Sequence, residues 1–418
     1  MSSDAKIDAA AGRLTAGCPD PVPPSFVPWL YAARGARGFA DGFAVILLPV
    51  YLSAIGYSPF QIGIVATVAL LGSSLLMLAV GLFAPRHDLR NLLLGGAALM
   101  VATGIAFPSA GHIAFVLLIA FVGTINPNTG DSGILVPLEH AMLTRGVSDR
   151  ERTRAFARYS LIGALAAAGG SLAAATPDVL VSAGFEKLTA FRLMFYAYGV
   201  LGLIGAVFYR QLPHAKAEET GASVALGPSR SVIYKLAALF SLDSFAGGFT
   251  VQSLVALWLF QKFDLSLSAA SVFFFWSSFL SAFSYPLAAR LAARIGLINT
   301  MVFTHIPASI LLIFAAFSPN LFLTLGLLLV RSLLAQMDVP ARSSYVMAVV
   351  TPAERTAAAS VTAVPRSLAS ALSPALSGAL LATPFSGLPL VVCGVLKITY
   401  DIALLVSFQH VKPPEERA

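Results

Sequence analysis

Twelve long apolar segments, separated by short polar stretches, follow one another along most of the chain. A helix that crosses a bilayer needs about 20 predominantly apolar residues, and the segments have about that length or more. Two of them, residues 112–142 and 319–349, exceed one perpendicular span, so we expect each to continue as helix beyond the hydrocarbon or to tilt. The pattern predicts an all-α integral membrane protein of twelve transmembrane helices, at about residues 27–53, 59–83, 91–108, 112–142, 155–175, 189–209, 232–260, 266–288, 297–317, 319–349, 357–381 and 388–409.

The composition agrees with a chain that lies mostly in lipid. Of its 418 residues, 57% are hydrophobic and 11% are charged, and the mean hydropathy is +0.81. Soluble domains carry about 25% charged residues, so this chain lacks the polar surface that a soluble body of its size needs. The composition excludes soluble enzymes and nucleic-acid-binding proteins, and the net charge of +7 has to be explained within a membrane.

The basic residues predict the orientation of the chain. With the N-terminus inside, 17 of the 27 Lys and Arg residues fall in inner loops and tails, while the outer side holds only Lys187, Lys262 and Arg192. Both tails, residues 1–26 and 410–418, are therefore expected to be cytoplasmic. The N-terminal tail, which is rich in Ala, Ser, Pro and Asp, is also expected to be disordered. Because Arg outnumbers Lys 20 to 7 and Ala and Gly are abundant, we place the chain in a bacterial inner membrane.

The two halves of the chain resemble each other at an offset of about 204–206 residues. The run FADGF at residues 39–43 matches FAGGF at 245–249, and the run ERT at 151–153 recurs at 354–356. The matches predict a duplicated six-helix unit, an architecture common among transporters. We expect an N-terminal bundle at 27–209, a cytoplasmic linker at 210–231 and a C-terminal bundle at 232–409.

With this repeat and twelve predicted spans, the chain resembles the major facilitator superfamily over residues 27–409. The family pattern Gly-x-Leu-Ala-Asp-Arg-x-Gly-Arg-Arg is similar to GLFAPRHDLR at 81–90, with Pro85 where the family has Asp, and a degenerate copy, AARLAARIG, stands at 288–296. The run DRERTRAF at 149–156 looks like the family's Arg-rich entry to the fifth helix. The resemblance implies two pseudo-symmetric six-helix bundles around a central cavity. We assign to a cytoplasmic gate Arg86, Asp88, Arg90, Glu139, Arg152, Arg290, Arg294 and Arg355.

Charged residues inside the apolar segments are the main candidates for function. A charge at the bilayer centre costs about 3 kcal/mol or more, so such residues face the bundle interior or a wet cavity. The first span carries Arg34, Arg37 and Asp41 on one helix face, and the tenth carries Arg331, Asp338 and Arg342 on one face. Each triplet contains an i,i+4 ion pair, so either the pairs are structural or the surplus Arg needs another partner.

The resemblance implies that spans one, four, seven and ten line the central cavity, and all four carry charge. Pro and Gly in the fourth span, NPNTGDSG at 126–133, loosen the helix and either open it to the cavity or form an ordinary kink. Asp243 nearly aligns with Arg37 across the repeat, which suggests a salt bridge between the halves. The expected substrate-cavity residues are Arg34, Arg37, Asn126, Asn128, Asp131, Asp243, Arg331, Asp338, Arg342 and Arg366.

The sequence favours a secondary transporter and leaves its substrate open. It contains no Walker A motif, so we expect a gradient to drive transport, with Asp41 and Asp131 as proton-coupling residues. One interpretation is proton-coupled efflux, by antiport, of a drug-like compound or metabolite. A second is transport of a small anion recognised by the intramembrane arginines. A third class, a sensor or scaffold, lacks the soluble domain it would need. We expect a monomer with no catalytic activity, cofactor or metal, and no nucleic acid as partner.

Overall fold

The computed structural model describes residues 26–128, 133–147, 149–215, 227, 229–351 and 354–410. The predicted N-terminal and C-terminal tails and most of the predicted linker lie outside these residues. The described chain is almost entirely helical. The helices of the first half are α1 (Val27–Ala54), α2 (Pro59–Phe83), α3 (Leu89–Ala106), α4 (Ile113–Val122), α5 (Leu135–Arg145), α6 (Asp149–Ala173), α7 (Thr176–Ser182) and α8 (Lys187–Tyr209).

The second half repeats this arrangement with eight further helices. They are α9 (Arg230–Gly248), α10 (Gln252–Phe263), α11 (Leu267–Ile295), α12 (Leu297–Phe317), α13 (Leu321–Leu334), α14 (Asp338–Ala348), α15 (Arg355–Leu381) and α16 (Leu388–Phe408). Three of the twelve expected spans each consist of two helices: the fourth (α4 and α5), the seventh (α9 and α10) and the tenth (α13 and α14). The short helix α7 directly follows the expected fifth span, most of which lies in α6. The twelve-span, all-α architecture is confirmed.

The two longest apolar segments are interrupted rather than extended as single helices. In the first, α4 ends at Val122 and α5 begins at Leu135, with Gly123 and Pro127 between them. In the second, residues 335–337 separate α13 from α14. Ten helical stretches of the described residues are long and apolar enough to cross a membrane. The fourth span is not among them because it is broken, and neither is α15, which has the length but carries Arg366 among many Ser, Thr and Ala residues.

Local signals begin several of these helices. Ser58 and Gln61 form a reciprocal capping box before α2, whose first residue is Pro59. Asp88 caps α3 by accepting a hydrogen bond from the Asn91 backbone N–H at 3.1 Å, and an asparagine side chain caps α13 in the same way. Such caps satisfy backbone donors that lipid cannot solvate.

The apolar core has three parts, and their distribution separates the two ends of the protein. We call the end that carries Phe26 and His410 the tail side and the opposite end the far side. The far-side core joins both halves, with Tyr51 packed in the same cluster as Trp258. On the tail side each half has a core of its own, one drawn from residues 26–215 and the other from residues 233–408. The halves are therefore fused at the far side and distinct at the tail side.

Hydrogen bonds between the halves also lie toward the far side. The Thr67 hydroxyl on α2 accepts a bond from the Ala375 N–H on α15 at 2.9 Å. Asp178 on α7 accepts bonds from the backbone N–H and the hydroxyl of Ser268 at the start of α11, at 3.1 and 3.0 Å. Between α2 and α15 the backbones approach closely, because a Cβ atom added to Gly63 would lie 3.0 Å from the Cα atom of Gly378.

On the tail side the hydrogen bonds that can be named stay within one half. Glu354, at the start of α15, accepts bonds from the hydroxyls of Ser229 and Thr351 at 2.7 and 2.8 Å and from the Gly227 N–H. These bonds join α15 to the chain just before α9. They stabilise the carboxylate, and the bonds from Ser229, Thr351 and Gly227 lower the pKa of Glu354 to about 2.

Replacing Glu354 by Gln is expected to destabilise the protein in a pH-dependent way. A carboxyl whose pKa is lowered on folding stabilises the folded state above its unfolded pKa, and that contribution disappears as the pH falls toward the folded value. Thermal unfolding in detergent should give Glu354→Gln a lower Tm than the wild type at pH 7, and the difference should shrink between about pH 4.5 and 3. A difference in Tm that is the same at pH 7 and pH 3 would contradict this role.

Candidate functional site

A buried ionic cluster occupies the interior of the first half. Arg37 on α1 forms an ion pair with Glu139 on α5, and it also donates a hydrogen bond to the Tyr159 hydroxyl on α6 at 3.0 Å. Glu139 is fully buried and also accepts bonds from Tyr159 and, at 2.6 Å, from Tyr209 on α8. One carboxylate therefore ties together four helices. Three donors around it compensate for the loss of water.

Arg34 adds a second cation to this cluster. Its guanidinium carbon lies 5.0 Å from the centroid of the Tyr159 ring, in a position for a cation–π interaction. The side chain is buried between α1 and α6. It lies directly against the Gly163 backbone of α6, where an added Cβ atom would collide with it. Tyr159 thus contacts both arginines of the first span, one through its hydroxyl and the other through its ring.

Asp41 is not part of this ion pair. The sequence pairs it with Arg37 at i,i+4, but in the described chain Arg37 is engaged by Glu139, which is 102 residues away. Asp41 is half-buried and lines a small cavity of about 20 Å³ with Arg37, Ser73, Thr124 and Tyr198. The Tyr198 and Thr124 hydroxyls are hydrogen-bonded to each other at 2.9 Å. The cavity has room for roughly one water molecule beside the carboxylate.

A second ionic cluster occupies the interior of the other half. Asp243 on α9 accepts hydrogen bonds from Arg342 on α14 at 2.9 Å and from Lys397 on α16 at 2.7 Å. Arg342 also forms an ion pair with Asp338, four residues earlier on the same helix, as the sequence predicts. Its guanidinium carbon lies 5.2 Å from the centroid of the Phe240 ring. The salt bridge between Arg37 and Asp243 suggested by the repeat is not formed here, because each side chain has its partners within its own half.

The second cluster continues into a part that sequence reasoning missed. His305 on α12 is buried, and its Nδ1 lies 3.1 Å from both carboxylate oxygens of Asp401 on α16. Its Nε2 lies 3.2 Å from the Lys397 ammonium and 3.9 Å from Asp243. The sequence offered a signal that we did not use: His305 is a histidine inside an apolar segment, where a polar side chain requires a partner.

Two further cations of the second half have no acidic partner among the residues that the structure describes. Arg331, in the last turn of α13, and Arg366, near the middle of α15, are half-buried. Within the described ranges, neither forms an ion pair or a hydrogen bond through its guanidinium. Arg366 lies near Arg342 and the acids of the second cluster, and Arg331 lies near Cys393. Of the five arginines singled out in the sequence, Arg37 and Arg342 are thus neutralised by carboxylates, while Arg331 and Arg366 are not.

Asn126 and Asn128 lie in the interruption of the fourth span. The Asn128 side-chain oxygen accepts a hydrogen bond from the Gln252 N–H at 2.9 Å, and the Pro127 carbonyl accepts one from the Ser253 N–H at 3.1 Å. Both donors stand at the start of α10, just after the interruption of the seventh span. The two broken spans therefore meet at their interruptions and bond the halves together. Asp131, expected both in the cavity and in proton coupling, lies outside the described residues.

The predicted gate residues are spread over three environments. Asp88 and Arg90 contact opposite ring nitrogens of His214, each at 3.1 Å and all within the first half. Glu139 lies in the buried cluster rather than at the tail-side surface. Arg86, Arg290 and Arg294 are exposed. The side chains of Arg152 and Arg355 are outside the part of the chain that the structure describes.

The larger of the two characterised cavities, about 320 Å³, contains none of the predicted site residues. It opens at the far side of the first half and is lined by Tyr51, Arg192, Tyr196 and the loop at 108–111. The ionisable groups that sequence and structure share lie instead in the middle of the two bundles. We therefore treat the two ionic clusters, with Asp41, Arg331 and Arg366 beside them, as the candidate site.

Comparisons with known proteins agree with this architecture. The model of the Major Facilitator Superfamily matches residues 30–242 and 236–418. A yeast protein, the uncharacterized membrane protein YJR124C of Saccharomyces cerevisiae, is 23% identical over 417 residues, covering 91% of this chain and 93% of its own. The crystal structure of the nucleoside transporter NupG superposes with a TM-score of 0.72 at 16% identity, covering 92% of this chain and 99% of the other. The xylose transporter XylE from E. coli, in an inward open conformation, gives 0.70 at 13% identity, covering 93% and 97%.

The Glu139 cluster makes a prediction about stability. Glu139→Ala leaves Arg37 as a buried charge without its carboxylate, so it should lower the free energy of unfolding by about 3–5 kcal/mol. Glu139→Gln, which keeps one acceptor oxygen, should cost less. Denaturant titration in mixed micelles measures both. The control is Glu186→Ala, an exposed carboxylate, which should change stability by less than about 0.5 kcal/mol. Equal losses for Glu139→Ala and the control would refute the role of the cluster.

Proposed function

The chain belongs to the Major Facilitator Superfamily and is a multi-pass membrane transporter of a small solute, and from that premise we propose a proton-coupled secondary transporter of a small organic or inorganic anion that works by alternating access. The observation that carries this proposal is the pair of half-buried arginines, Arg331 and Arg366, without acidic partners in the described chain. Membrane interiors disfavour uncompensated charge, so such cations support binding of a negatively charged solute.

The arrangement of the halves supports alternating access. They share an apolar core and hydrogen bonds at the far side, and each has a separate core at the tail side. Rocking of one bundle against the other would break the far-side contacts and bring the tail sides together. We propose that the tail side is cytoplasmic, as the positive charges predict, and that the chain acts as a monomer in a bacterial inner membrane.

We propose that an anion is recognised by Arg331 and Arg366, two arginines that form no ion pair with the clusters in the described chain. Arg37 and Arg342 are engaged with carboxylates, so a solute would have to compete with these internal partners. Arg331 and Arg366 carry no such competitor in the described chain. A guanidinium presents a planar fork of donors that matches a carboxylate or a phosphate.

Proton-coupled efflux of a drug-like compound or metabolite by antiport is a second candidate. Its support is an aromatic row on α11, in which Phe275, Trp276, Phe279 and Phe283 stack or meet edge to face. Trp276 and Phe283 of this row are exposed, which suits either a cavity or a lipid surface. Trp258 gives no support, because it is fully buried in the far-side core.

We propose that Asp41 takes part in proton coupling in either case. It is the acid of the first span, it borders a cavity, and the neighbouring Arg37 is held by Glu139. A carboxyl without a committed cation can gain and lose a proton as its surroundings change during rocking. Asp131 remains the other candidate from the sequence.

Alternating access predicts that crowding the far-side contact opens it. Gly63→Leu places a side chain where an added Cβ already lies 2.5 Å from the Pro374 carbonyl oxygen, so the far sides should separate. The distance is measured between spin labels at Ser53→Cys and Ala382→Cys, with both native cysteines replaced by Ser. It should be longer in Gly63→Leu than in the same labelled protein with the native Gly63. Gly95→Leu, where nothing lies within 4 Å of the added Cβ, is the control. Unchanged distances in Gly63→Leu would contradict the rocking model.

The proposed coupling residue is tested by transport under an imposed pH gradient. Proteoliposomes are loaded with a ligand identified by thermal shift, since binding stabilises the folded state. Asp41→Asn should abolish the pH-gradient dependence while ligand binding persists, because Asn carries no titratable proton. Glu186→Gln, on the exposed far side, should behave as the wild type. Transport by Asp41→Asn at the wild-type rate and with the same pH dependence would disprove the assignment.

The anion hypothesis is tested by binding. A thermal-shift panel of inorganic phosphate, sulfate, small mono- and dicarboxylates, neutral sugars and hydrophobic cations should show stabilisation by anions. Arg331→Gln and Arg366→Gln should weaken anion binding by roughly 10- to 100-fold, the loss expected for a charge-assisted hydrogen bond of about 1.5–3 kcal/mol. Arg210→Gln, at an exposed arginine that is assigned to no site, is the matched control. Stabilisation by hydrophobic cations alone would favour the second candidate instead.

A further inference from the structure

His305 is the second member of a continuous series of five charged or ionisable side chains in the second half. The series runs from Asp401 through the imidazole of His305 to the Lys397 ammonium, then to Asp243 and Arg342, with successive distances of 3.1, 3.2, 2.7 and 2.9 Å. It crosses helices α16, α12, α9 and α14. All five side chains of this ionic series are nearly buried, and Lys397 is the most exposed of them at 12%.

The contacts of the imidazole determine which of its nitrogens carries a hydrogen. An ammonium has three donors and no acceptor, so Lys397 can hydrogen-bond to Nε2 only where Nε2 presents its lone pair. Nδ1 faces only carboxylate oxygens, which only accept. The arrangement therefore fits a neutral His305 that donates from Nδ1 to Asp401 and accepts at Nε2 from Lys397.

We propose that Nε2 of His305 is a proton-binding site that Lys397 blocks, so that proton binding and the Lys397–His305 contact exclude each other. A proton from water adds to the Nε2 lone pair, and the hydrogen bond from the Lys397 ammonium to that lone pair is lost. The added hydrogen takes the place of that contact, and an oxygen of Asp243 lies 3.9 Å from Nε2. Asp243 then exchanges Lys397 for His305 as its partner, and the ammonium is released toward the exposed edge of the cluster.

The exchange keeps the added charge paired. Three carboxylates, Asp243, Asp338 and Asp401, face the permanent cations Arg342 and Lys397, and Arg366 lies close enough to act on Asp243 and Asp338. A proton on His305 forms against Asp401 at Nδ1 and has Asp243 within reach of Nε2, while the released ammonium belongs to the most exposed member of the set. The new positive charge is therefore matched by carboxylates where it forms.

Helices α16, α15, α13 and α11 carry further ionisable side chains in this half. Tyr400 on α16 meets the imidazole edge to face at 6.2 Å. Arg366 on α15 lies near the cluster but forms no ion pair with its acids in the described chain, and it remains available to a solute. Helix α13 brings Arg331, which lies near Cys393. On α11, Arg290 and Arg294 are exposed near the tail-side end, away from the named contacts of His305.

The exchange would reach the other half through the seventh span. Asp243 belongs to α9, and α9 is followed by α10, whose first residues bond to Asn128 and Pro127 of the first half. Proton binding at His305 changes the partners of Asp243 on that same broken span. This coupling role rests on the proposed function, whereas the proton site itself does not.

The experiment reads the imidazole directly and needs no substrate. The full chain, labelled with ¹⁵N-histidine and reconstituted in nanodiscs, is measured by NMR from pH 5 to pH 9. Six histidines contribute signals, and His305→Gln identifies the signal of His305 by its loss. We expect the Nδ1–H tautomer with an unprotonated Nε2 at high pH, and a doubly protonated ring on acidification. An Nε2–H tautomer at high pH, or a ring that does not change over this range, would overturn the proposal.

The competition is tested by removing the ammonium. In Lys397→Gln the doubly protonated ring should be present at a pH where the wild-type ring is neutral, with the fraction changing at least about tenfold. Lys262→Gln is the control, because Lys262 donates to the carbonyls of Ala316 and Ser318 at the far side, away from His305. In this variant the His305 signal should match that of the wild type. An identical titration in Lys397→Gln and Lys262→Gln would overturn the competition. The wild-type tautomer decides the proposal if Lys397→Gln does not fold, and a failure of anion binding or transport leaves this result unaffected.

Discussion

Neutralising charge inside a membrane is the constraint on which the rest of this structure depends. An isolated charge in the hydrocarbon is too costly to retain, so each buried arginine must be matched by a carboxylate, an aromatic ring or water. The protein meets this requirement with two clusters, each of which binds side chains from four helices. The ionic interactions therefore act as tertiary contacts, because a helix cannot leave its bundle without exposing a charge.

The two clusters are related by the internal repeat with the charges exchanged. In the first half a basic residue of the first span, Arg37, pairs with an acid of the fourth, Glu139. In the second half an acid of the seventh span, Asp243, pairs with a basic residue of the tenth, Arg342. The repeat thus conserves a salt bridge between equivalent spans while inverting its polarity. The first cluster is closed by tyrosines, which add no charge, and the second by Lys397, His305 and Asp401, which can change theirs.

The interruptions of the helices lie on spans that also carry charged residues of the two clusters. The breaks in the fourth and seventh spans meet and bond through backbone and Asn128 groups that a continuous helix would have used internally. Above them, at the far side, close glycine contacts and a shared apolar core join the halves. The bonds between the two breaks lie on the same spans as one acid of each cluster, Glu139 on the fourth span and Asp243 on the seventh. The contact between the halves and the ionic clusters are therefore joined along these two broken spans.

The sequence by itself determined the features that depend on local pattern. Apolar length predicted the spans, and the repeat with its loop motif identified the architecture, whereas the orientation indicated by arginine and lysine stays a prediction. Pro127 and the glycine residues near it predicted a loosened helix in the fourth span but left open whether the helix opens or only kinks. Asp338 and Arg342 were paired correctly, since both stand on one helix four residues apart.

Only the tertiary structure decided which charges are used in internal ion pairs and which have no acidic partner among the described residues. Arg37 has Asp41 one turn away, yet it pairs with Glu139, because the fully buried carboxylate of Glu139 needs its donors more than the half-buried one of Asp41 does. The role of His305 depends on residues 92 and 96 positions further along the chain, which no periodicity relates. Helix periodicity reports which residues share a face, whereas the partner across a bundle is set by how faces from distant segments pack. That is why the sequence named the charged residues and the fold assigned their partners.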